Sequence, residues 1–370
     1  TAADPYIGRD KIVELEPDVV TLDIEMPRMD GITFLKILMK HKPLPVVIMS
    51  SLSQKGSRYA LEALEAGAVD VLAKPGTAYS VGEVAGDLVR KVKAAYLARH
   101  RICKRPFLQS SDSSDKSEEK KTTTRIQPLS SSGVAVSQPT SVGGTRVPQP
   151  APMGAQRERP YKPPKVPTLP PVPFDPGTVI LLGASTGGTE ALKDVLTQLP
   201  GKIPPICIVQ HIPAYFSAAF AERLNSLSEM EVREARDGDA LRPGLALVAP
   251  GDYHMILAKS PSGLGYVVRL KQGPKVWHQR PAVDLLFKSA APLLGRKAVA
   301  GLLTGMGQDG AQGLLELRQA GARTFAQDEA TCVVFGMPHA AQNLGAAEKM
   351  VPLPEIPRHI LSLISISNAT

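Results

Sequence analysis

Cysteine is scarce in this chain, and it is scattered. Three thiols among 370 residues, Cys103, Cys207 and Cys332, lie far apart with no CxxC pair. That spacing argues against a disulfide framework or a zinc site and points to a reducing compartment. Long apolar runs are missing as well. None reaches the length of a membrane span, so no membrane insertion is expected. No basic-then-apolar secretory leader opens the chain. The net charge is +8, yet no basic helix interleaved with aromatics stands out. Residues 104–176 hold 11 Lys/Arg against 6 Asp/Glu, so most of the excess belongs to one segment. A solvated basic linker accounts for it, and no nucleic-acid partner is expected.

That segment also carries 14 of the 34 prolines and a Ser/Thr/Lys/Glu-rich start. It cannot bury enough apolar surface to offset the entropy of ordering it. Residues 104–176 are therefore expected to form a long tether, extended toward its proline-rich end. On either side the pattern is that of βα alternation, which implies parallel sheets with flanking helices. Residues 1–103 form one expected domain and 177–370 another. Within the second, residues 229–271 change texture. Short alternating stretches such as 246–249 and 266–270, broken by Gly-Asp, Pro-Gly and Pro-Ser-Gly turns, suggest β-hairpins inserted at a sheet edge.

In the first domain, Asp23, Ser50 and Lys74 each end a strand-like run. Carboxyl ends of parallel strands share one edge, so the three are expected to meet. A carboxylate acceptor, a small hydroxyl and a lysine form a phosphoryl-handling set. With Asp23-Ile-Glu-Met-Pro-Arg-Met-Asp-Gly31 and Lys74-Pro75, the stretch resembles a response-regulator receiver domain of flavodoxin-like fold. The resemblance implies phosphorylation at Asp23, with Ser50 as switch hydroxyl and Lys74 stabilising phosphoryl oxygens. It also implies Mg²⁺ for phosphorylation of an intact receiver. Receivers begin with a strand ending in an acidic pair, and the chain opens at Thr1, beyond that point. A truncated receiver with no complete metal site is expected, with the edge of the Asp18–Leu22 strand left open.

In the second domain, Ser185, His211 and Asp309 each follow an apolar run: 178–184, 206–210 and 298–303. A hydroxyl, an imidazole and a carboxylate at one sheet edge make a nucleophile, its base and the group that orients the base. Gly183-Ala-Ser-Thr-Gly187 fits GxSxG, a tight strand-to-helix turn that exposes the serine. The order Ser, His, Asp differs from the Ser, Asp, His of α/β-hydrolases. A dinucleotide-dependent oxidoreductase would want GxGxxG and an acidic residue at the next strand end, where Gln210-His211 stands. Asp309 has a plainer alternative role, as cap of a helix starting near Gly310.

Gly183-Ala-Ser-Thr-Gly-Gly188, Gln210-His-Ile-Pro213, Arg280-Pro-Ala-Val-Asp284, Thr304-Gly-Met-Gly-Gln-Asp-Gly310 and the stretch 327–338 resemble the chemotaxis methylesterase family, CheB. The family often has His directly before the Arg-Pro; here Gln279 stands there, with His278 one residue earlier. The resemblance implies a doubly wound, Rossmann-like parallel sheet. It implies a cytoplasmic enzyme that hydrolyses glutamyl methyl esters on methyl-accepting chemoreceptors and deamidates glutamines in some relatives. A histidine kinase would phosphorylate the receiver. Ser185, His211 and Asp309 would form the triad, with backbone N–H groups of Thr186 and Met306 as the oxyanion hole. Catalysis would need no cofactor. The alternative expectation is a phosphorylation-controlled interaction module whose hydrolase fold is silent.

Overall fold

In the computed structural model, residues 1–51, 53–75, 81–102 and 168–366 are described. Cys103 and the expected tether as far as residue 167 lie outside them. The first sheet comprises β1 (Val20–Asp23), β2 (Val46–Ser50) and β3 (Asp70–Ala73), in that order and parallel. Among the described residues no strand lies on the free side of β1. Four helices accompany this sheet: α1 (Pro5–Leu15), α2 (Gly31–His41), α3 (Gln54–Glu65) and α4 (Val81–Ile102). Parallel strands are buried on both faces, so β2 reads as unbroken Val-Val-Ile. Ile48 and Val71 pack into one layer, Val47 and Leu72 into the layer under α4. Asp4 and Asp30 begin α1 and α2 by accepting orphan N–H groups.

The second sheet has seven parallel strands in the order β12-β11-β10-β4-β5-β7-β6. They are β4 (Val179–Ala184), β5 (Ile206–Gln210), β6 (Glu231–Glu234), β7 (Leu245–Val248), β10 (Ala298–Leu302), β11 (Arg323–Gln327) and β12 (Lys349–Val351). One face is covered by α5 (Gly188–Leu196), α6 (Phe216–Leu227) and α10 (Ile356–Ile364). The other is covered by α7 (Val283–Leu294), α8 (Ala311–Gln319), α9 (Met337–Asn343) and a hairpin of β8 (His254–Lys259) with β9 (Tyr266–Lys271). Every residue of β4, β5 and β10 is buried. Each buried Leu, Ile or Phe here contributes about 1.5–3 kcal/mol. From β4 the chain passes to β5, skips to the edge strand β6, comes back to β7 between them, then crosses to β10 on the other side of β4. The gap between β4 and β10 is the topological switch point, where ligand crevices form.

Two sequence expectations change. Residues 246–249 do not form a hairpin: 245–248 is β7, paired in parallel with both β5 and β6. A four-residue apolar run is compatible with either assignment, and the open edge of β5 decides it. The inserted hairpin is confined to β8 and β9. Residues 168–176, placed in the tether by composition, lie against the second domain. Leu169 donates to Gln198 O, Ile366 donates to Pro173 O, and Val172 and Phe174 pack on the apolar core. Prolines removed helical or strand periodicity there without removing apolar anchors.

Candidate active site

Ser185 leaves β4 into a turn built by two glycines. Gly187 has φ +78, and a Cβ on Gly188 would lie 2.2 Å from Gln210 Oε1 and 2.6 Å from Ala184 Cβ. Only glycine permits both the left-handed turn and that close approach. His211 follows β5 directly, and Asp309 sits in the loop between β10 and α8. All three are buried, at 8%, 6% and 2% exposure. His211 Nε2 donates to Asp309 Oδ2 at 2.8 Å. The same carboxylate accepts the N–H of Val283 at 2.7 Å and of Asp284 at 3.0 Å. Asp309 thus stands on the N-terminus of α7, where the helix dipole favours its negative charge. It does not cap α8, whose N-cap Gly310 has no side-chain bond.

With Nε2 committed to Asp309, the basic nitrogen of His211 is Nδ1. It is buried and has no hydrogen-bond partner. Ser185 Oγ is not bonded to it, although both residues line one cavity of about 640 Å³. Among the described residues, neither the N–H of Thr186 nor that of Met306 donates to a backbone carbonyl. Both residues line the same cavity.

Thr304 joins the two loops. Its carbonyl accepts from Ser185 N at 3.0 Å, and its hydroxyl donates to Thr186 O at 3.0 Å. That hydroxyl also accepts from Val334 N, and Gln327 Oε1 takes the Thr304 N–H. Trp277 and His278 adopt left-handed φ of 52 and 63. Trp277 Nε1 donates to the buried Asp284 at 3.0 Å, and His278 and Gln279 line the cavity.

The first domain covers this edge. Thr186 Oγ1 donates to Asp70 Oδ2 at 2.6 Å, and Lys91 Nζ donates to Asp70 Oδ1 at 2.6 Å. Burial works against the charge on Lys91, but Asp70 and Asp87 outweigh it and hold its pKa above the usual lysine value. Met306, Val333 and Val334 pack against the apolar face of α4. Arg223 of α6 is paired with Glu65 at the end of α3, and burial there depresses the Arg223 pKa.

Asp23, Ser50 and Lys74 stand at the carboxyl edge of the first sheet. Lys74 Nζ donates to Asp23 Oδ2 at 2.6 Å, while Ser50 Oγ donates to Gly56 O at 3.0 Å. Among the described residues no group of three or more His, Cys, Asp or Glu could hold a metal ion. No helix among them is long and apolar enough to cross a membrane.

The fold is thus a receiver-type sheet laid over a doubly wound sheet that carries a hydroxyl, an imidazole and a carboxylate at its switch point. A family model described as CheB methylesterase matches residues 180–360, and one described as response regulator receiver domain matches 1–82. The chain is 47% identical over 367 residues to "Protein-glutamate methylesterase/protein-glutamine glutaminase 2" of Syntrophus aciditrophicus, covering 98% of this chain and 90% of that protein. A Pseudomonas aeruginosa protein of the same name is 45% identical over 97% of this chain and 87% of its own length. The crystal structure of the Thermotoga maritima CheB methylesterase catalytic domain is 39% identical, covers 51% of this chain and 99% of that one, and has a TM-score of 0.49. The chain belongs to the CheB family of protein-glutamate methylesterases, hydrolases that carry a receiver domain.

Sequence reasoning missed Asp70, Lys91, Thr304 and Gln210. Two of these had a legible signal: Gln210 and Thr304 are polar residues ending apolar runs. Asp70 and Lys91 had none, because acids and lysines are common, their pairing joins β3 to α4, and only docking of the second domain adds the Thr186 bond.

Proposed function

We propose that this chain is a receiver-controlled methylesterase acting on glutamyl methyl esters of chemoreceptors, and on receptor glutamines as a deamidase. The carrying observation is the convergence of Ser185, His211 and Asp309 at one switch point, with the imidazole already tied to the carboxylate. Ser185 Oγ attacks the ester carbonyl, and His211 Nδ1 takes its proton. Asp309 holds the tautomer and stabilises the imidazolium. The Ser185–His211 bond forms with substrate bound, since catalytic hydrogen bonds tighten in the complex. Thr186 and Met306 N–H groups receive the oxyanion, worth about 3 kcal/mol per donor. The imidazolium returns its proton to the leaving methoxide, and methanol departs. Water, deprotonated by His211, then attacks the acyl-enzyme and frees the glutamate carboxylate. A glutamine amide follows the same course and releases ammonia.

Regulation follows from the cover. Asp70, Lys91 and α4 stand over the cavity, so substrate reaches Ser185 only when the first domain withdraws. Phosphorylation of Asp23 by a chemotaxis histidine kinase would break the Lys74–Asp23 pair and draw in Ser50, loosening that contact. Methanol release from methylated receptors tests the reading. Wild type should release it, and Ser185→Ala should not, with an unchanged fold. A wild-type chain that binds receptors without releasing methanol would instead be a silent interaction module.

A further inference from the structure

Gln210 is buried at 3% exposure, polar, and outside the proposed triad. Its side-chain amide donates through Nε2 to Ser185 O at 2.9 Å and to His211 O at 3.2 Å. Two carbonyl acceptors fix which end of the amide is nitrogen. Oε1 points at Gly188 and has no partner. A buried amide with one end unsatisfied costs stability, so the position is not explained by packing alone.

The peptide geometry gives it a task. The Ser185–Thr186 peptide is planar and trans, so its carbonyl and the Thr186 N–H point in opposite directions. Whatever holds Ser185 O therefore aims the Thr186 N–H. Ser185 O is held by two donors, Gly188 N at 2.7 Å and Gln210 Nε2 at 2.9 Å. Hydrogen bonds to a carbonyl also polarise its peptide and strengthen the donor at the other end. The second bond, to His211 O, ties the same amide to the residue that carries the base.

We infer that Gln210 is the positioning residue of the oxyanion hole, orienting the Thr186 N–H through the Ser185 carbonyl. This rests on the methylesterase reading and assigns Gln210 no contact with substrate. Its contribution belongs to the transition state, where negative charge appears on the former carbonyl oxygen, and not to binding of the neutral ester.

The experiment uses the full chain with Gln210→Met, which keeps length and loses the donor, and Gln210→Glu, which keeps shape. Methanol release gives kcat and KM. A peptidyl trifluoromethyl ketone bearing a glutamyl-length side chain, which forms an oxyanion adduct with serine, reports the hole itself. kcat should fall about 10- to 100-fold in both variants with KM nearly unchanged. Affinity for the ketone should fall by a similar factor, and the melting temperature should stay close to wild type. A folded variant with wild-type kcat, or one that loses only KM, overturns the inference. Ketone affinity that stays at the wild-type level while kcat falls also overturns it. Unfolding of both variants would assign Gln210 to the core and overturn it too. Wild-type turnover that does not depend on Ser185 would defeat the methylesterase reading itself. With Ser185-dependent turnover in place, unaffected Gln210 variants defeat only this inference.

Discussion

The receiver sheet and the esterase sheet place their polar groups by one rule, at the carboxyl ends of parallel strands, yet they meet solvent differently. Asp23 and Lys74 keep 37% and 33% of their side chains exposed and are bonded to each other. Ser185, His211 and Asp309 are almost fully covered, and among the described residues His211 Nδ1 has no partner and the Thr186 and Met306 N–H groups donate to no backbone carbonyl. The Asp23–Lys74 pair is left accessible and internally neutralised. The His211–Asp309 pair is in place and shielded, with part of the shield supplied by the other sheet. On the proposed reading, the receiver would act on hydrolysis through access.

The comparison breaks most sharply at the triad. His211→Ala and Asp309→Asn should each lower kcat by about 10³-fold or more, and the double variant should lose far less than the product of the two. Steady-state methanol release decides it, and multiplicative losses would remove the triad. Next is the cover. Asp70→Ala removes a charge-assisted bond to Thr186 and the partner of Lys91, each worth about 1.5–3 kcal/mol. Basal turnover of the unphosphorylated chain should rise about tenfold, and unchanged turnover would mean that Asp70 does not hold the cover shut. The pH dependence has a defined sign. A lysine whose folded pKa is raised stabilises the fold below its ordinary value of 10.5 and loses that contribution as pH climbs through the raised value. The stability that the Lys91–Asp70 pair gives the first domain should therefore persist across neutral and mildly alkaline pH in thermal unfolding.

The third test probes the open site. Labelling of Asp23 by a small phosphoryl donor should be slow and change by no more than about threefold with Mg²⁺, because the described residues supply no metal site. Intact-mass measurement reads it, Asp23→Ala should abolish it, and strong Mg²⁺ dependence would overturn it. The smallest effect is structural. Asp30 accepts from Thr33 N and Thr33 Oγ1, and those bonds, led by the backbone one, hold its pKa below 3.8. Asp30→Ala should cost about 1 kcal/mol in denaturant unfolding. That difference should be full above pH 3.8 and fade as pH falls through the lowered value, because the depressed carboxylate loses its charge there.

Local sequence alone determined much of this molecule. Apolar runs of four to six residues rich in β-branched side chains and bounded by turn signals favour buried strands, and the polar residue that ends each one stands at the strand's carboxyl end. Asp23, Ser50, Lys74, Ser185 and His211 accordingly end or directly follow β1, β2, β3, β4 and β5. Composition marked where periodicity stops at the tether, but it missed the apolar anchors Leu169, Val172 and Phe174. What a side chain touches was another matter. Asp309 could cap α8 by sequence proximity, and it caps α7 because packing brings Val283 and Asp284 closer. Residues 246–249 could serve a hairpin, and they join the main sheet because β5 offers an unpaired edge. Asp70 and Lys91 pair with each other inside the first domain, and Asp70 gains its Thr186 partner only where the two domains meet. Strand and turn formation follow from interactions within a few residues, while hydrogen-bond partners across 25 to 118 positions depend on how finished layers stack.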